Sequence, residues 1–451
     1  MKVDVLVAEI GSTTTIINAF QEVGGGSPLF LGQGFSATTV LEGDVTIGLK
    51  NAVNDLSVNL NVPEITWGEM LATSSAAGGL KMTVHGLVYD MTVKAAKEAS
   101  LGAGAILKLI TAGTLRKTDI LKIKAITPNI ILIAGGVDYG ERNTALNNFE
   151  LIASQKLNIP LIYAGNIENH DEIKLIAEEY GTTLYIVDNV YPKVDVLNVE
   201  PARKIIQQAF EEHIIHAPGM TTIRDMVSGP IIPTPGAVME AAKLLREHIG
   251  DLVVFDVGGA TTDVHSVTEG SDEISKIMIS PEPVAKRTVE GDLGVFVSIQ
   301  NVADKIGTEV LKKEFPDADE LIKNAKPIPS TELEKRFIER LTLEAVLTSL
   351  ERHSGAIRNL FGPGGKKTIA EGKDLTNVKY IVGTGGALTR LPGRVEILNK
   401  VPLHNKGLDL FPKKDSKVLI DNDYIMASLG VLSKKYPEAA LKLLKRSLKI
   451  S

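Results

Sequence analysis

The stretch Leu252-Val253-Val254-Phe255-Asp256-Val257-Gly258-Gly259-Ala260-Thr261-Thr262-Asp263-Val264 decides how the chain is read. A β-branched run ends in an acid, one apolar residue, glycines and hydroxyls, then resumes at Val264, which predicts a strand, a tight turn and a second strand. Such a hairpin can offer backbone N–H groups and hydroxyls to phosphate oxygens, and an acid just ahead of it can hold metal-bound water. Alone it is equally a plain polar hairpin, because turns of this composition are common. The layout occurs once before, where Val3–Ala8 runs into Glu9-Ile10-Gly11-Ser12-Thr13-Thr14-Thr15 and apolar residues resume at Ile16–Phe20. Two such hairpins far apart in the chain predict two related lobes, each supplying one jaw of a phosphate clamp.

A third glycine turn follows, Val382-Gly383-Thr384-Gly385-Gly386-Ala387-Leu388. A strand entering residues without bulk lets backbone approach a flat ring closely; the plainer reading is a strand-to-helix turn. Two familiar phosphate motifs are excluded. Gly362-Pro363-Gly364-Gly365-Lys366-Lys367-Thr368 has Leu360 where a P-loop needs its first glycine, and Leu388 stands where the dinucleotide fingerprint needs its third.

At 451 residues the chain exceeds a single core, and 44% hydrophobic with 23% charged residues is a globular balance. The 49 basic and 55 acidic residues leave −6, with no basic stripe for nucleic acid. No cysteine is present, which removes disulfides, thiolate nucleophiles, iron–sulfur clusters and thiolate zinc sites. The eight histidines show no metal-ligand spacing. Asp4 and Glu9 interrupt the N-terminal apolar run, and no run approaches the ~18 residues of a membrane span, so a cytoplasmic location is expected. The Leu and Ala stripe of Lys442–Lys449 reads as packing on its own domain and not on a membrane surface.

Elsewhere, a buried-strand run at Ile130–Ala134, strands at Pro160–Tyr163 and Thr183–Val187, and a helix over Asp171–Tyr180 predict a small parallel α/β unit. Thr331 and Glu334 form a capping box that opens a helix closing near Gly355. The predicted organisation is a first lobe of residues 1–249 plus 415–451, holding an inserted α/β subdomain at about 120–215, and a second lobe of residues 250–414.

In their order the three turns resemble the actin, sugar kinase and heat-shock chaperone ATPase superfamily. With Ser74–Met82, Ile131–Gly140, Pro160–Asn166, Pro233–Val238 and the segment Ala285-Lys286-Arg287-Thr288-Val289-Glu290-Gly291-Asp292-Leu293-Gly294-Val295, nearly the whole chain looks like the MutL/GlmL family associated with glutamate mutase. The resemblance implies an α/β, two-lobed actin-like ATPase fold with an inserted parallel α/β subdomain. It also implies an ATP- and magnesium-dependent reactivating or chaperone-like factor whose partner is an adenosylcobalamin-dependent mutase or aminomutase.

Residue by residue, the resemblance puts Gly11, Ser12, Thr13 and Thr15 on the first phosphate turn and Gly258, Gly259, Thr261 and Thr262 on the second. Gly383, Gly385, Gly386 and Ala387 fall on the adenosine motif. Asp256 and Glu9 take the catalytic positions, and Glu9, Asp256 and Asp263 face magnesium through water. Glu9 stands where the superfamily usually has Asp, and Ile16 where related chains often place Lys. Lys286 and Arg287 either contact nucleotide or pair with Glu290 and Asp292. A small-molecule kinase on the same fold is the alternative, and a filament protein a further one. The ATPases that activate hydroxyacyl-CoA dehydratases need bridging cysteines, which this chain lacks.

Overall fold

The computed structural model describes residues 1–11, 14–39, 44–75, 80–103, 105–214, 220–362 and 365–450. These residues divide into two compact units, Met1–Ala237 with Lys434–Ala439, and Val238–Ser433 with Ala440–Ser451.

Ten strands lie in the first unit: β1 Lys2–Ile10, β2 Thr14–Gln21, β3 Leu29–Ala37, β4 Thr66–Ser74, β5 Lys81–Gly86, β6 Ile106–Ala112, β7 Ile130–Ile133, β8 Leu161–Tyr163, β9 Leu184–Ile186 and β10 Ile231–Pro233. Five of them form a sheet in the order β10-β4-β1-β2-β3, antiparallel across β1, β2 and β3 and parallel across β1, β4 and β10. The apolar residues of β1, among them Val3, Leu6, Ala8 and Ile10, are buried in a core shared with the helix Val45–Asn59. Close approach of that helix to β3 needs Gly34, whose added Cβ would strike the Ala52 carbonyl and the Leu56 backbone. Residues 434–439 join this unit at Glu69, which accepts from Lys435 Nζ at 2.7 Å and from Tyr436 Oη at 3.0 Å.

The inserted sheet runs β6-β5-β7-β8-β9, all parallel. Strands covered on both faces need continuous apolar runs. Accordingly Ile130, Leu132 and Ile162 enter the core of the first sheet, while Ile131, Ile133, Leu161 and Tyr163 enter a second core with Phe149 and Ile173. This sheet begins at Lys81, well ahead of the expected start near residue 120. β5 and β6 carry Lys81, Thr83, His85, Lys108 and Thr111 between their apolar residues, which hides them from a search for apolar runs.

The second unit repeats the first order. Its strands are β11 Leu252–Val257, β12 Thr262–Val267, β13 Ala285–Glu290, β14 Ala356–Gly362, β15 Gly365–Glu371, β16 Tyr380–Thr384 and β17 Lys417–Ile420. The sheet runs β13-β12-β11-β16-β17, antiparallel across the first three and parallel across the rest, while β14 and β15 form a separate two-stranded sheet. One five-stranded order occurring in both units is the duplication of an actin-like α/β fold. β17 pairs with β16, so residues 417–420, expected in the first lobe, complete the second sheet. A four-residue strand holds too little pattern to declare its partner.

The helix Glu332–His353 opens with the expected capping box: Glu334 N donates to Thr331 Oγ1 at 3.1 Å, and Glu334 Oε2 accepts from Thr331 N at 2.9 Å. Backbone donors hold the Glu334 carboxyl down to about 2. At the chain end, Asp421 is buried and accepts from Thr384 Oγ1 (2.9 Å), Met426 N (2.9 Å), Ile425 N (3.2 Å) and Ser447 Oγ (2.7 Å). Ser447 ends the helix Pro437–Ser447, whose Ala440, Leu443 and Leu444 are buried as its apolar stripe implies. Among the described residues no helix is long and apolar enough to cross a membrane.

His85 on β5 is fully buried between Thr111 Oγ1 (2.8 Å) and Thr83 Oγ1 (3.0 Å), and burial pulls its imidazole down to about 4. The unfolded chain takes up a proton near pH 6.5 and the folded one only near 4, so this group's stabilisation is present above 6.5 and declines as pH falls toward 4. Between pH 7 and 4.5 the native protein should therefore lose about 2.5 kcal/mol more unfolding free energy in urea titrations than His85→Gln does. Equal pH slopes would show that His85 titrates normally in the fold.

Candidate functional site

In the second unit β11 ends at Val257 and β12 starts at Thr262, so four residues must reverse the chain. Gly258 N donates to Thr261 O at 3.0 Å, which closes the turn. The segment after β13 then folds back over it. Val295 N donates to Gly258 O (3.2 Å), Phe296 N and Val297 N to Gly259 O (2.9 and 2.7 Å), and Ser298 Oγ to Ala260 O (3.3 Å). All four turn carbonyls thus have protein donors. The amides of Gly259 and Ala260, both exposed, have no acceptor among the described residues. Successive backbone N–H groups whose carbonyls are tied away make an anion-binding concavity. The fit is tight: an added Cβ on Gly294 would fall on the Ala260 carbonyl and 2.5 Å from Gly259 O.

The acid ahead of this turn, Asp256, is half-buried and stands in register with Asp263 on β12 and Thr384 on β16, so the three share one face. Two acids side by side repel, and a buried cation offsets this: Arg287 Nε and Nη2 reach Asp263 Oδ1 at 3.0 and 2.7 Å, while Thr261 Oγ1 donates to Oδ2 at 3.3 Å. Asp263, expected to face magnesium, is therefore engaged by a guanidinium. Arg287 pairs with Asp263 and Lys286 with Glu282 (2.7 Å), whereas the Glu290 and Asp292 offered as their partners bind Arg352 instead. His265, next along this face of β12, is fully buried with neither ring nitrogen hydrogen-bonded among the described residues, and burial beside Arg287 pushes its pKa down and keeps it neutral.

The first turn has the same closure, Gly11 N to Thr14 O at 2.9 Å. Ser12 and Thr13 lie outside the described residues, as do Ala76–Gly79 of the small-residue segment and Pro363 and Gly364 of the rejected glycine loop. Glu9 is buried beside Ile16 and Thr73, and its Oε1 accepts from Asn18 Nδ2 at 3.2 Å; Asn18 Oδ1 in turn accepts from Gln33 Nε2 at 2.9 Å. Ile16 occupies the register position that Asp263 holds in the second unit, and it is buried and apolar.

Two residues expected to meet phosphate spend their hydroxyls elsewhere. Thr15 Oγ1 pairs with Thr38 Oγ1 at 2.9 Å, and Thr262 Oγ1 donates to Leu293 O at 2.8 Å; both residues are buried. Of the third turn, Gly383 packs against Leu398, Leu388 and Ile420, and Ala387 lies in the core. Gly385 has φ +81°, and an added Cβ there would strike Asp256 Oδ1 and lie 2.6 Å from Val257 O. Only Gly386 of the four faces open space. Sequence reading named Arg287 but not its partner Asp263, and it missed Arg352 and the 293–298 cover of the turn, although it had marked the segment 285–295 as distinctive.

These packing differences predict a split between neighbours. Gly385→Val should cost about 3 kcal/mol or more in urea unfolding, from a positive φ and a clash with backbone, while Gly386→Val should stay within about 1 kcal/mol of the parent. Similar stability of the two variants would mean that the strand-to-helix turn is not built around Gly385.

Among solved structures the chain is similar to nucleotide-free acetone carboxylase, with 11% identity, a TM-score of 0.40, and coverage of 96% of this chain and 70% of that one. It is also similar to the nucleotide-free diol dehydratase-reactivating factor, with 11% identity, a TM-score of 0.38, and coverage of 96% and 100%. A curated relative, Protein MutL of Clostridium tetanomorphum, is 36% identical over 98% of both chains. With the model of the MutL protein family matching residues 5–448 as well, the chain belongs to that family.

Proposed function

We propose that the protein is an ATP-dependent reactivating, chaperone-like factor for an adenosylcobalamin-dependent mutase or aminomutase of the glutamate mutase type, releasing damaged cobalamin through ATP-driven movement of its units. The observation that carries the nucleotide part is the second turn. Its carbonyls are tied back by residues 295–298 and the amides of Gly259 and Ala260 are left for phosphate oxygens. The partner class rests on membership of the MutL family.

In this reading the amides of Gly259 and Ala260 hold phosphate, and the open side of Gly386 accepts the adenosine end. Magnesium neutralises phosphate charge when bound. Among the described residues no three His, Asp or Glu side chains converge as ligands, and in this reading Asp256 acts on the ion through water. Asp256 orients the attacking water and accepts its proton. Arg287, hydrogen-bonded to Asp263, sets a positive charge beside the two acids of this strand pair.

Calorimetry should show binding of magnesium-ATP, and Asp256→Ala should lower hydrolysis ~10²-fold or more while affinity stays within about tenfold. Basal turnover should fall below ~1 s⁻¹ and rise when a mutase loaded with hydroxocobalamin is added, because a partner shifts such an equilibrium only through differential affinity for its states. The paired measurement is release of that cobalamin with recovery of activity on adding adenosylcobalamin. Release equally fast without ATP removes the reactivating role; hydrolysis at the parental rate in Asp256→Ala removes the role of that acid.

A further inference from the structure

The segment that ties back the second turn leaves β13 through Glu290, Gly291 and Asp292, and one side chain holds both acids. Arg352, in the last turn of the helix Glu332–His353, donates from Nη1 to Glu290 Oε2 (2.5 Å) and Asp292 Oδ1 (2.7 Å), and from Nη2 to Asp292 Oδ2 (2.9 Å). A guanidinium fork on a carboxylate fixes orientation as well as distance. The next residue, His353, is buried and pairs with Thr288 Oγ1 (2.9 Å) and Ser266 Oγ (2.7 Å), which pins that end of the helix to β12 and β13.

Between the two acids lies Gly291, with open space where a Cβ would be. A glycine there makes the bend soft unless something outside it sets its shape. From this bend the path to the turn is short: Ser298 Oγ reaches Gly291 O at 2.9 Å and Ala260 O at 3.3 Å, and Thr262 Oγ1 holds Leu293 O at 2.8 Å. Gly294 lies so close against Gly259 and Ala260 that no slack remains between segment and turn. A shift in the bend must therefore move the turn.

We infer that Arg352 is a positioning residue for the phosphate turn: by forking Glu290 and Asp292 it holds the 290–298 segment on the turn carbonyls, and so keeps the Gly259 and Ala260 amides directed at the anion. The inference rests on the nucleotide reading proposed above. Arg352 and Asp292 are both partly exposed, with 38% and 46% of their side chains accessible, so solvent screens the pair and its effect falls on turn geometry more than on global stability.

The test measures ATP affinity and the ligand-free thermal midpoint of the full chain and of Arg352→Gln, Arg352→Lys, Asp292→Asn and the double variant Arg352→Gln with Asp292→Asn. Arg352→Gln should lose roughly tenfold in ATP affinity with a midpoint within a few degrees of the parent, and Arg352→Lys, which carries charge without the fork, should recover only part of the loss. The double variant should bind as weakly as Arg352→Gln alone, because both changes open one contact. Parental affinity in Arg352→Gln, additive losses in the double variant, or losses that simply track the midpoints across all four variants overturn the inference. An unsubstituted protein that binds no ATP overturns the nucleotide reading with it, whereas a defect confined to the variants, or none, leaves that reading standing.

Discussion

Every buried or covered backbone carbonyl needs a donor, and meeting that need at the turn between β11 and β12 organises the second unit. Each carbonyl from Gly258 to Thr261 has a donor, three of them supplied by residues 295–298. That segment can lie there only because residue 294 is glycine and because Thr262 and Ser298 stitch it down. The long helix enters this arrangement as the support for its outer end. A turn that looks local in sequence is thus assembled from β11, β12, the exit of β13 and the end of a helix.

The two units share a sheet order and a turn closure but differ in electrostatics. Beside Asp256 stands a second acid, offset by a buried guanidinium; beside Glu9 stands Ile16, and an amide chain of Asn18 and Gln33 holds the carboxylate. Asp256 sits half-buried among charges that balance, while Glu9 is buried next to apolar and amide groups. One sheet order thus carries two different acids in two different surroundings, one beside charged groups and one beside amides and apolar side chains.

The hairpins, the capping box at Thr331 and Glu334 and the parallel run from β7 to β9 were legible because local pattern alone determines them. β5, β6 and β17 were not, since polar interruptions and short length leave their pairing to distant neighbours. In the candidate site, the directions of several side chains were not legible. Alternation along β2 and β12 puts Thr15 and Thr262 on the face opposite Glu9 and Asp256, and only the neighbours at Thr38 and Leu293 explain where their hydroxyls go. Gly385 likewise looked like room for a ring, yet the space is filled by Asp256 and Val257.

The bond from Ser447 to Asp421 bears on how the chain matures as it is made. Every strand of the first unit lies ahead of residue 234, so its two sheets can assemble while the rest is still being synthesised. The second sheet gains its last strand only at residues 417–420, and the carboxylate that follows takes a donor from Ser447. Until those residues have been made, β16 keeps an unpaired edge and Asp421 is short of a donor, so the second sheet is completed later than both sheets of the first unit.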